Sequence, residues 1–215
     1  MNYLDNKFIF PPRPLLFKRE AVENLIGNFK FQLKLDDTRS LVTYTPEKGL
    51  VLFTRHGEGH KAYSPSKEVV EQFYSLPWDK NKTQVWDTLL LHNKNELVKD
   101  TWILMDILVK DGEYLLNSKF KEREIYLDSL GKKIVEKVTG LGLAYAYTPK
   151  IWRAKSFPMS QFDSIWKSIE NLWSNQKIIE GVVVKNLNGK LAYHFYSDKC
   201  NWQFKVRLPK KNYKY

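Results

Sequence analysis

Apolar and polar residues alternate along much of the chain, a pattern that predicts β-strands with one buried face. In residues 28–55 the runs "NFKFQLKLDD", "SLVTYT" and "LVLFTR" predict an antiparallel meander with a turn at "PEKG". Residues 83–116 predict a second meander, in which "HNKN" and "KDG" separate three strand-like runs. Residues 177–215 predict three further strands and a basic tail.

Other segments have the spacing of helices. Residues 1–27 are predicted to form an N-terminal strap, in which a proline-stiffened extended stretch precedes a short amphipathic helix. "SPSKEVVEQFYSL" predicts a helix that ends before Pro77. "KFKEREIYLDSLGKKIVEKV" predicts another, with its core side formed by Ile125, Leu127, Leu130 and Ile134. In "SQFDSIWKSIENLWS" Ser160 and Asp163 can cap a helix whose apolar stripe is Phe162, Ile165, Trp166, Ile169, Leu172 and Trp173.

These elements predict an α+β protein dominated by antiparallel sheet. We find no internal repeat and no low-complexity linker, so residues 1–215 are expected to form a single domain.

The charge of the chain narrows the classes of partner. Lys and Arg number 35 against 24 Asp and Glu, a formal net charge of +11 that is spread along the chain. Such an excess favours a polyanionic partner, either nucleic acid or nucleotide phosphates, although a merely solvated basic surface is the alternative. Cys200 is the single cysteine, which excludes an internal disulfide and a thiolate zinc site. No membrane span or signal peptide is apparent, and we expect a cytoplasmic monomer.

Three short stretches place charge within or beside a strand: "KLDDTR" at 34–39, "EGVVVK" at 180–185 and "WQFKVR" at 202–207. In the last, period-two alternation sends Lys205 and Arg207 to the same face, away from the apolar residues. Two neighbouring cations repel each other unless an anion lies between them, and a phosphate group would satisfy both. Any one such strand could equally present a solvated outer face, so the interpretation depends on all three together.

In this order, the stretches resemble motifs of the covalent nucleotidyltransferases, the superfamily of ATP-dependent DNA ligases, RNA ligases and mRNA capping enzymes. "KLDDTR" resembles the K-x-D-G-x-R signature, and "EGVVVK" and "WQFKVR" resemble the fourth and fifth motifs. "FTRHG" is similar to the S-R-x-G segment, and "WILMDILVKDGEYL" with "KEREIYLDSL" resembles the strand and helix that follow the third motif. The resemblance implies an ATP-grasp-like adenylyltransferase domain of two packed antiparallel sheets flanked by helices. Because the sequence ends soon after "WQFKVR", we expect no C-terminal oligonucleotide-binding barrel.

The resemblance also implies residue roles. Lys34 would attack the α-phosphorus of ATP to form a lysyl-AMP intermediate, with Glu180 and Lys205 completing the catalytic set. Glu180 and Asp36 would hold Mg²⁺, which prefers oxygen ligands. The residues implied to contact the nucleotide are Gln32, Arg39, Arg55, Met105, Lys185 and Arg207. Partial burial and the cations Lys205 and Arg207 are expected to lower the pKa of Lys34, since a protonated lysine cannot attack.

The sequence departs from the family pattern at several of these positions. Asp37 occupies the place of a glycine, Gln32 that of a commoner glutamate, and Met105 that of an aromatic residue. The third motif, usually D-G-E-L, has two possible alignments. "WDTLLLH" has the better spacing and puts Leu89 in the place of the glutamate, whereas "NKNELV" keeps a glutamate, Glu96, closer to Asp106.

The implied substrate is nicked or broken nucleic acid. DNA is favoured over RNA because Arg39 stands where the commonest type of RNA ligase has asparagine. An RNA ligase is the first alternative, followed by a catalytically impaired nucleic-acid-binding relative and, less well supported, a guanylyltransferase that caps mRNA. A metal hydrolase using His56 and His60 would need both on one helix face, and the intervening glycines disfavour a helix.

Overall fold

The computed structural model describes residues 8–94, 98–173, 178–193 and 198–209, with only the backbone for residues 172 and 173. The strands are β1 Arg13–Leu16, β2 Phe29–Leu35, β3 Thr38–Thr45, β4 Gly49–Thr54, β5 Gln84–Leu91, β6 Thr101–Lys110, β7 Glu113–Tyr114, β8 Ile134–Val135, β9 Ala144–Ala146, β10 Ile151–Ala154, β11 Ser156–Pro158, β12 Ile179–Asn186 and β13 Lys199–Arg207. The α-helices are α1 Lys67–Tyr74, α2 Phe120–Ser129 and α3 Phe162–Ser168. Short 3₁₀ helices cover Glu20–Asn24 and Met159–Gln161, and a π-helical turn covers Ile169–Trp173.

The strands form two sheets. A five-stranded sheet has the order β1-β13-β12-β2-β11, and an eight-stranded sheet has the order β4-β3-β5-β6-β10-β9-β8 with β7 beside β6. The predicted α+β class with two sheets is therefore confirmed. Most pairs are antiparallel as expected, whereas β1 with β13 and β6 with β10 are parallel. Every strand of the described residues belongs to one of these sheets, so this part of the chain contains no additional barrel.

The main hydrophobic core covers one face of the smaller sheet, where Phe31, Val182 and Val206 pack with Phe162 of α3. It extends to Leu91 and Ile103 of the larger sheet. A second core covers the opposite face of the larger sheet and contains residues of α1 and α2. Since both faces of the larger sheet are covered, its central strand β5 is buried at all eight positions. The remaining face of the smaller sheet, which is turned toward the larger sheet, carries the polar side chains that line a cavity.

The first predicted meander is only partly correct. β3 and β4 form the antiparallel hairpin, but β2 pairs with β12 and β11 in the other sheet. The chain crosses between the sheets at Asp36 and Asp37, and the backbone N–H of Asp36 donates to the carbonyl of Ile178, which precedes β12, at 2.7 Å. Alternation indicates that one face of a strand is buried, but it does not identify the partner strand. The crossing therefore could not be predicted from the sequence pattern.

The second predicted helix has a different core face from the one expected. Leu127 and Leu130 are buried as predicted, but Ile125 is 69% exposed and Ile134 lies in the exposed strand β8. The inward positions of α2 instead include two charged residues, 1% and 5% exposed. These are Arg123, which pairs with Asp106, and Glu124, whose carboxylate lies 3.5 Å from Arg153. Buried ion pairs therefore replace part of the expected apolar stripe.

The third predicted helix is confirmed in its stripe but not in its cap. Phe162, Trp166 and Ile169 are buried, and Ile165 packs against the main core, while the side chains of Leu172 and Trp173 lie outside the described residues. α3 begins after the 3₁₀ turn and has no side-chain cap. Asp163 pairs with Arg19 of the strap instead.

The two ends of the described chain also differ from prediction. The strap contributes β1 to the smaller sheet, and its short helix is 3₁₀ rather than α. Between β12 and β13 the described residues form isolated bridges at Lys190 and Leu191 in place of a third strand. The basic tail from residue 210 lies outside the described residues. Within the described part, no helix has the length and apolar character needed to cross a bilayer.

Candidate active site

Three adjacent strands of the smaller sheet present alternate residues to a cavity of about 480 Å³ between the sheets. In one row of partners Gly181 of β12 lies between Lys34 of β2 and Arg207 of β13. In the next row Val183 lies between Gln32 and Lys205. Lys185 follows opposite Gln203, and all of these except Gly181 line the cavity. The prediction that Lys205 and Arg207 share a face is thus confirmed.

The larger sheet supplies the opposite wall. Leu89, Ile103, Met105 and Ala154 form its apolar part, which we call the apolar wall, and Arg39 and Asp87 belong to its polar part. Arg55 follows the end of β4. The predicted residues that line this cavity are Gln32, Lys34, Arg39, Arg55, Met105, Lys185, Lys205 and Arg207. A cavity with one apolar wall and several convergent cations suits a ligand that has a flat apolar part and an anionic part.

The Glu180 carboxylate forms an ion pair with the ammonium of Lys34, which lines the cavity. The register of β12 on β2 shifts between Ile179 and Gly181, as in a β-bulge that turns a side chain away from strict alternation. Arg207 Nε lies 3.8 Å from the same carboxylate oxygen. The side chains of Glu180 and Lys34 are 8% and 22% exposed, so the pair is largely shielded from water.

Burial lowers the pKa of Lys34, and this is the largest influence on it. The Glu180 carboxylate acts in the opposite direction, while the positive charge of Arg207 lowers the pKa further. The predicted direction is therefore confirmed. The order of causes differs from expectation, since burial outweighs the neighbouring cations and Glu180 opposes both. A lowered pKa makes it easier for the lysine to pass a proton to the carboxylate that it contacts.

Lys185 is a buried cation that faces the cavity. Its ammonium donates to the backbone carbonyl of Met105 at 3.3 Å and lies 4.5 Å from the centre of the Phe120 ring. Burial lowers its pKa to about 8, although Asp106 and Asp87 act to raise it. Both of those carboxylates are paired with arginines. A buried ammonium that shares its nearest acids with arginines favours a bound anion.

Arg39 is held by other protein groups. Its Nε donates to Asp87 Oδ1 at 2.7 Å, Nη2 donates to the second oxygen of that carboxylate, and Nη1 donates to the carbonyl of Pro12 at 3.0 Å. The side chain thus ties β3 and β5 to the strap. The bidentate pair with Asp87 occupies one edge of the guanidinium. Arg39 also lines the cavity, so its contact with the nucleotide stays a prediction.

The remaining predicted contacts occupy the rim and the apolar part of the cavity. Arg55 is exposed, and its Nε donates to His56 Nε2 at 3.0 Å. Gln32 Nε2 donates to the hydroxyl of Ser156 on β11 at 3.0 Å. Leu89, from the preferred alignment of the third motif, is 7% exposed and lines the cavity. Glu96, from the other alignment, lies outside the described residues.

The described residues contain no cluster of three or more His, Cys, Asp or Glu side chains able to hold a metal by themselves. The two predicted Mg²⁺ ligands are each paired with a lysine: Glu180 with Lys34, and Asp36 with Lys94 at 2.7 Å. Mg²⁺ commonly uses one or two carboxylates together with substrate phosphates and water, and Glu180 fits such a site. The arrangement gives no support to a hydrolase that uses His56 and His60.

Two cations that line the cavity were missed in the sequence, Arg13 and Lys155. Arg13 lies on β1 opposite Lys199. Burial lowers the pKa of Lys205, and the charges of Arg207, Lys34 and Arg13 lower it further. No sequence signal identifies Arg13, because "RPLL" is too short for a periodic pattern and its partner strand is almost the whole chain away.

Comparison with solved structures identifies the fold. The chain superimposes on "mycobacterial DNA ligase D complexed with ATP and MES" with a TM-score of 0.58 and 16% identity, covering 94% of this chain and 62% of that one. For the ligase domain of LigD from M. tuberculosis the TM-score is 0.58 at 16% identity, and the match covers 94% of this chain and 61% of that one. For a structure of Lig E DNA ligases the TM-score is 0.53 at 16% identity, and the match covers 93% of this chain and 70% of that one. The chain therefore has the fold of these ligase structures and spans about three fifths of the first two. No family model matches the chain. No curated protein matches it either.

Proposed function

We propose that the chain is an ATP-dependent polynucleotide ligase, most active on DNA, and that residues 1–215 form one adenylation domain. The observation that carries this proposal is the position of Lys34. It lies in the cavity wall, in contact with the Glu180 carboxylate and in line across Gly181 with Arg207. The fold of DNA ligase structures and the order of the three charged motifs support the same function.

In the first step Lys34 Nζ attacks the α-phosphorus of ATP. An N–P bond forms, the bond from the α-phosphorus to the bridging oxygen breaks, and pyrophosphate leaves with the electron pair. Glu180 is placed to accept the lysine proton, because its carboxylate already accepts a hydrogen bond from Nζ. Lys205, Arg207 and Lys185 would stabilise the negative charge of the phosphates. The product is lysyl-AMP.

Met105 and Leu89 would contact the adenine on the apolar wall, and Gln32 would contact its polar edge. The thioether of Met105 is polarizable and packs against rings with little geometric demand. Mg²⁺ bound with the phosphates would neutralise part of their charge, and Glu180 is the carboxylate that would help to hold it.

In the later steps AMP passes to a 5′-phosphate end, and a 3′-hydroxyl then displaces it to join the strands. The formal charge of +11 supports a nucleic-acid substrate, because phosphate contacts supply most sequence-independent affinity. DNA is the proposed acceptor because two of the similar structures are named as DNA ligases.

The first test is to incubate the protein with Mg²⁺ and α-labelled ATP or GTP, and to follow label that remains on the denatured chain. We expect label from ATP in the wild type and none in Lys34→Ala. Lys30→Ala is the matched control, since Lys30 lies on the same strand but pairs with Glu124 at 3.2 Å and does not line the cavity. It should be labelled like the wild type.

The outcomes separate the alternatives. Label from GTP alone would favour a capping activity, and absence of label with either nucleotide would favour a catalytically impaired binding relative. A second assay compares sealing of nicked DNA with nicked RNA. We expect faster sealing of DNA, whereas faster sealing of RNA would identify an RNA ligase.

A further inference from the structure

Asp37 stands where the ligase signature has a glycine, and the structure gives it a use that glycine cannot have. Its backbone does not need the freedom of glycine, because the described non-glycine residues with positive φ are Asp100, Asp111 and Asn117. Its side chain is 0% exposed. A fully buried carboxylate is costly unless hydrogen bonds compensate for the lost water.

The Asp37 carboxylate has such compensation from backbone groups. The N–H groups of residues 92, 93 and 94 converge on Oδ2 at 3.0, 3.2 and 3.3 Å. The N–H of Thr38 donates to Oδ1 at 2.9 Å. Successive backbone N–H groups that point at one oxygen form an anion-binding nest. Here the anion belongs to the turn after Lys34, and the nest belongs to the connection that follows β5.

Two neighbouring contacts strengthen the same junction. Asp36 Oδ1 accepts from the ammonium of Lys94 at 2.7 Å, so the adjacent acids bind the side chain and the backbone N–H of one lysine. His92 Nε2 lies 3.0 Å from the hydroxyl of Thr38. We call residues 92–94 the docking loop. The docking loop thus makes a polar contact with each of the residues 36, 37 and 38.

The junction lies where the chain passes from one sheet to the other. Lys34 is near the end of β2 in the smaller sheet, β3 begins at Thr38 in the larger sheet, and the docking loop follows β5 of the larger sheet. A contact that fixes the crossing to β5 therefore also fixes the distance of Lys34 from the apolar wall. Small displacements of a nucleophile are costly, since an error of about 1 Å can reduce a rate about 100-fold.

We propose that Asp37 is a positioning residue: its carboxylate holds the docking loop on the turn after Lys34 and so sets the nucleophile in the cavity. This inference rests on the proposed ligase function for the role of Lys34. It predicts that the residue usual in the family, glycine, is a poor substitute in this chain.

The test compares Asp37→Gly and Asp37→Asn with the wild type in two measurements. Hydrogen–deuterium exchange of the peptide that contains residues 92–94 should become faster by about tenfold in Asp37→Gly, because the amides lose their acceptor. The increase should be smaller in Asp37→Asn, because a neutral amide oxygen accepts more weakly than a carboxylate. The single-turnover rate of lysyl-AMP formation should fall about 10- to 100-fold, with little change in the Kd for ATP. A general loss of structure would change the Kd as well, so the two quantities distinguish positioning from unfolding.

Asp100→Asn is the matched control. Asp100 also fixes a loop between β5 and β6, accepting from the hydroxyl of Tyr63 and the N–H of Ser66, and its φ of 50° is tolerated by asparagine. This variant should leave exchange of the docking loop and lysyl-AMP formation unchanged. Unaltered exchange in both Asp37 variants would overturn the inference, as would an unaltered rate despite faster exchange. Absence of lysyl-AMP in the wild type would instead overturn the proposed function.

Discussion

Replacing Lys185 with methionine should stabilise the ligand-free protein, although Lys185 is proposed to bind phosphate. Methionine keeps the length and apolar stem of lysine and removes the buried ammonium. The pKa of Lys185 is lowered from an ordinary value of 10.5 to about 8 by burial. This difference corresponds to about 3 kcal/mol of unfavourable interaction with the charged form, at about 1.4 kcal/mol per tenfold change.

Part of this gain is offset by contacts that the substitution removes. The ammonium lies over the Phe120 ring and donates to the Met105 carbonyl, interactions that are together worth about 1–2 kcal/mol. We therefore expect Lys185→Met to raise the free energy of unfolding at pH 7 by about 1–2 kcal/mol.

The pH dependence gives the sharper signature. Below pH 8 Lys185 is protonated in both folded and unfolded chains, and the full cost of burying the charge is present. Between pH 8 and 10.5 the unfolded chain binds more protons, so the stability of the wild type rises with pH through this window. The advantage of Lys185→Met should accordingly shrink above pH 8.

Urea unfolding of the wild type and Lys185→Met at pH values from about 7 to about 10 measures this difference. The exposed Lys82→Met serves as the control and should show no such trend. A stability difference between Lys185→Met and the wild type that is constant over the whole range would refute the assignment of a buried, unfavourable charge. A loss of stability at pH 7 would refute it as well, because the ammonium would then be making net favourable contacts.

Three other substitutions test neighbouring parts of the structure. Gly181→Ala should lower the free energy of unfolding in urea by more than about 2 kcal/mol. The added Cβ would lie 2.0 Å from the carbonyl oxygen of Val206 in β13, and Gly181 has a φ of +141°. Gly59→Ala is the control and should leave the stability unchanged, because nothing lies within 4 Å of its added Cβ. Arg123→Met should cost about 3–5 kcal/mol by leaving Asp106 buried and unpaired, and adding Asp106→Leu should recover much of that loss. Arg13→Ala should raise the KM for ATP in lysyl-AMP formation about tenfold without changing the unfolding midpoint; an unchanged KM would place Arg13 outside the phosphate contacts.

The sequence predicted strands well where one face packs on the core. β12 and β13 are examples, because Val182, Val184 and Val206 are buried while Lys185 and Lys205 alternate with them. It failed where partner choice is non-local. β2 has the alternation of a meander strand but pairs with β12, about 150 residues further along the chain. No local pattern contains that information.

The helix error has a different physical origin. Periodicity assigns charged residues to the outer face of a helix, and α2 reverses this for Arg123 and Glu124. Their partners Asp106 and Arg153 lie on β6 and β10. Each residue alone would be expensive to bury, and only the tertiary pairing makes the position acceptable. A helix of mixed charge therefore cannot be oriented from its sequence until its partners are known.

The candidate site was predictable in part. Alternation placed Lys205 and Arg207 on one face of their strand, and the resemblance of the three charged motifs implied that Lys34 lies in the same site. The engagement of Arg39 by Asp87 could not, since it depends on β3 lying beside β5. Asp37 could be recognised as a departure from glycine, but its use depends on the docking loop lying against the turn.

The charges around the cavity affect both the stability of the folded chain and its affinity for anions. Lys34, Lys185 and Lys205 have pKa values lowered first by burial, so the folded chain carries three cations in unfavourable surroundings. The carboxylates in the lining are already engaged, Asp87 by Arg39 and Asp37 by the docking loop. A polyanion is the partner that relieves this repulsion. ATP should therefore stabilise the folded chain by mass action, and added salt should reduce the effect because it screens the partly exposed charges.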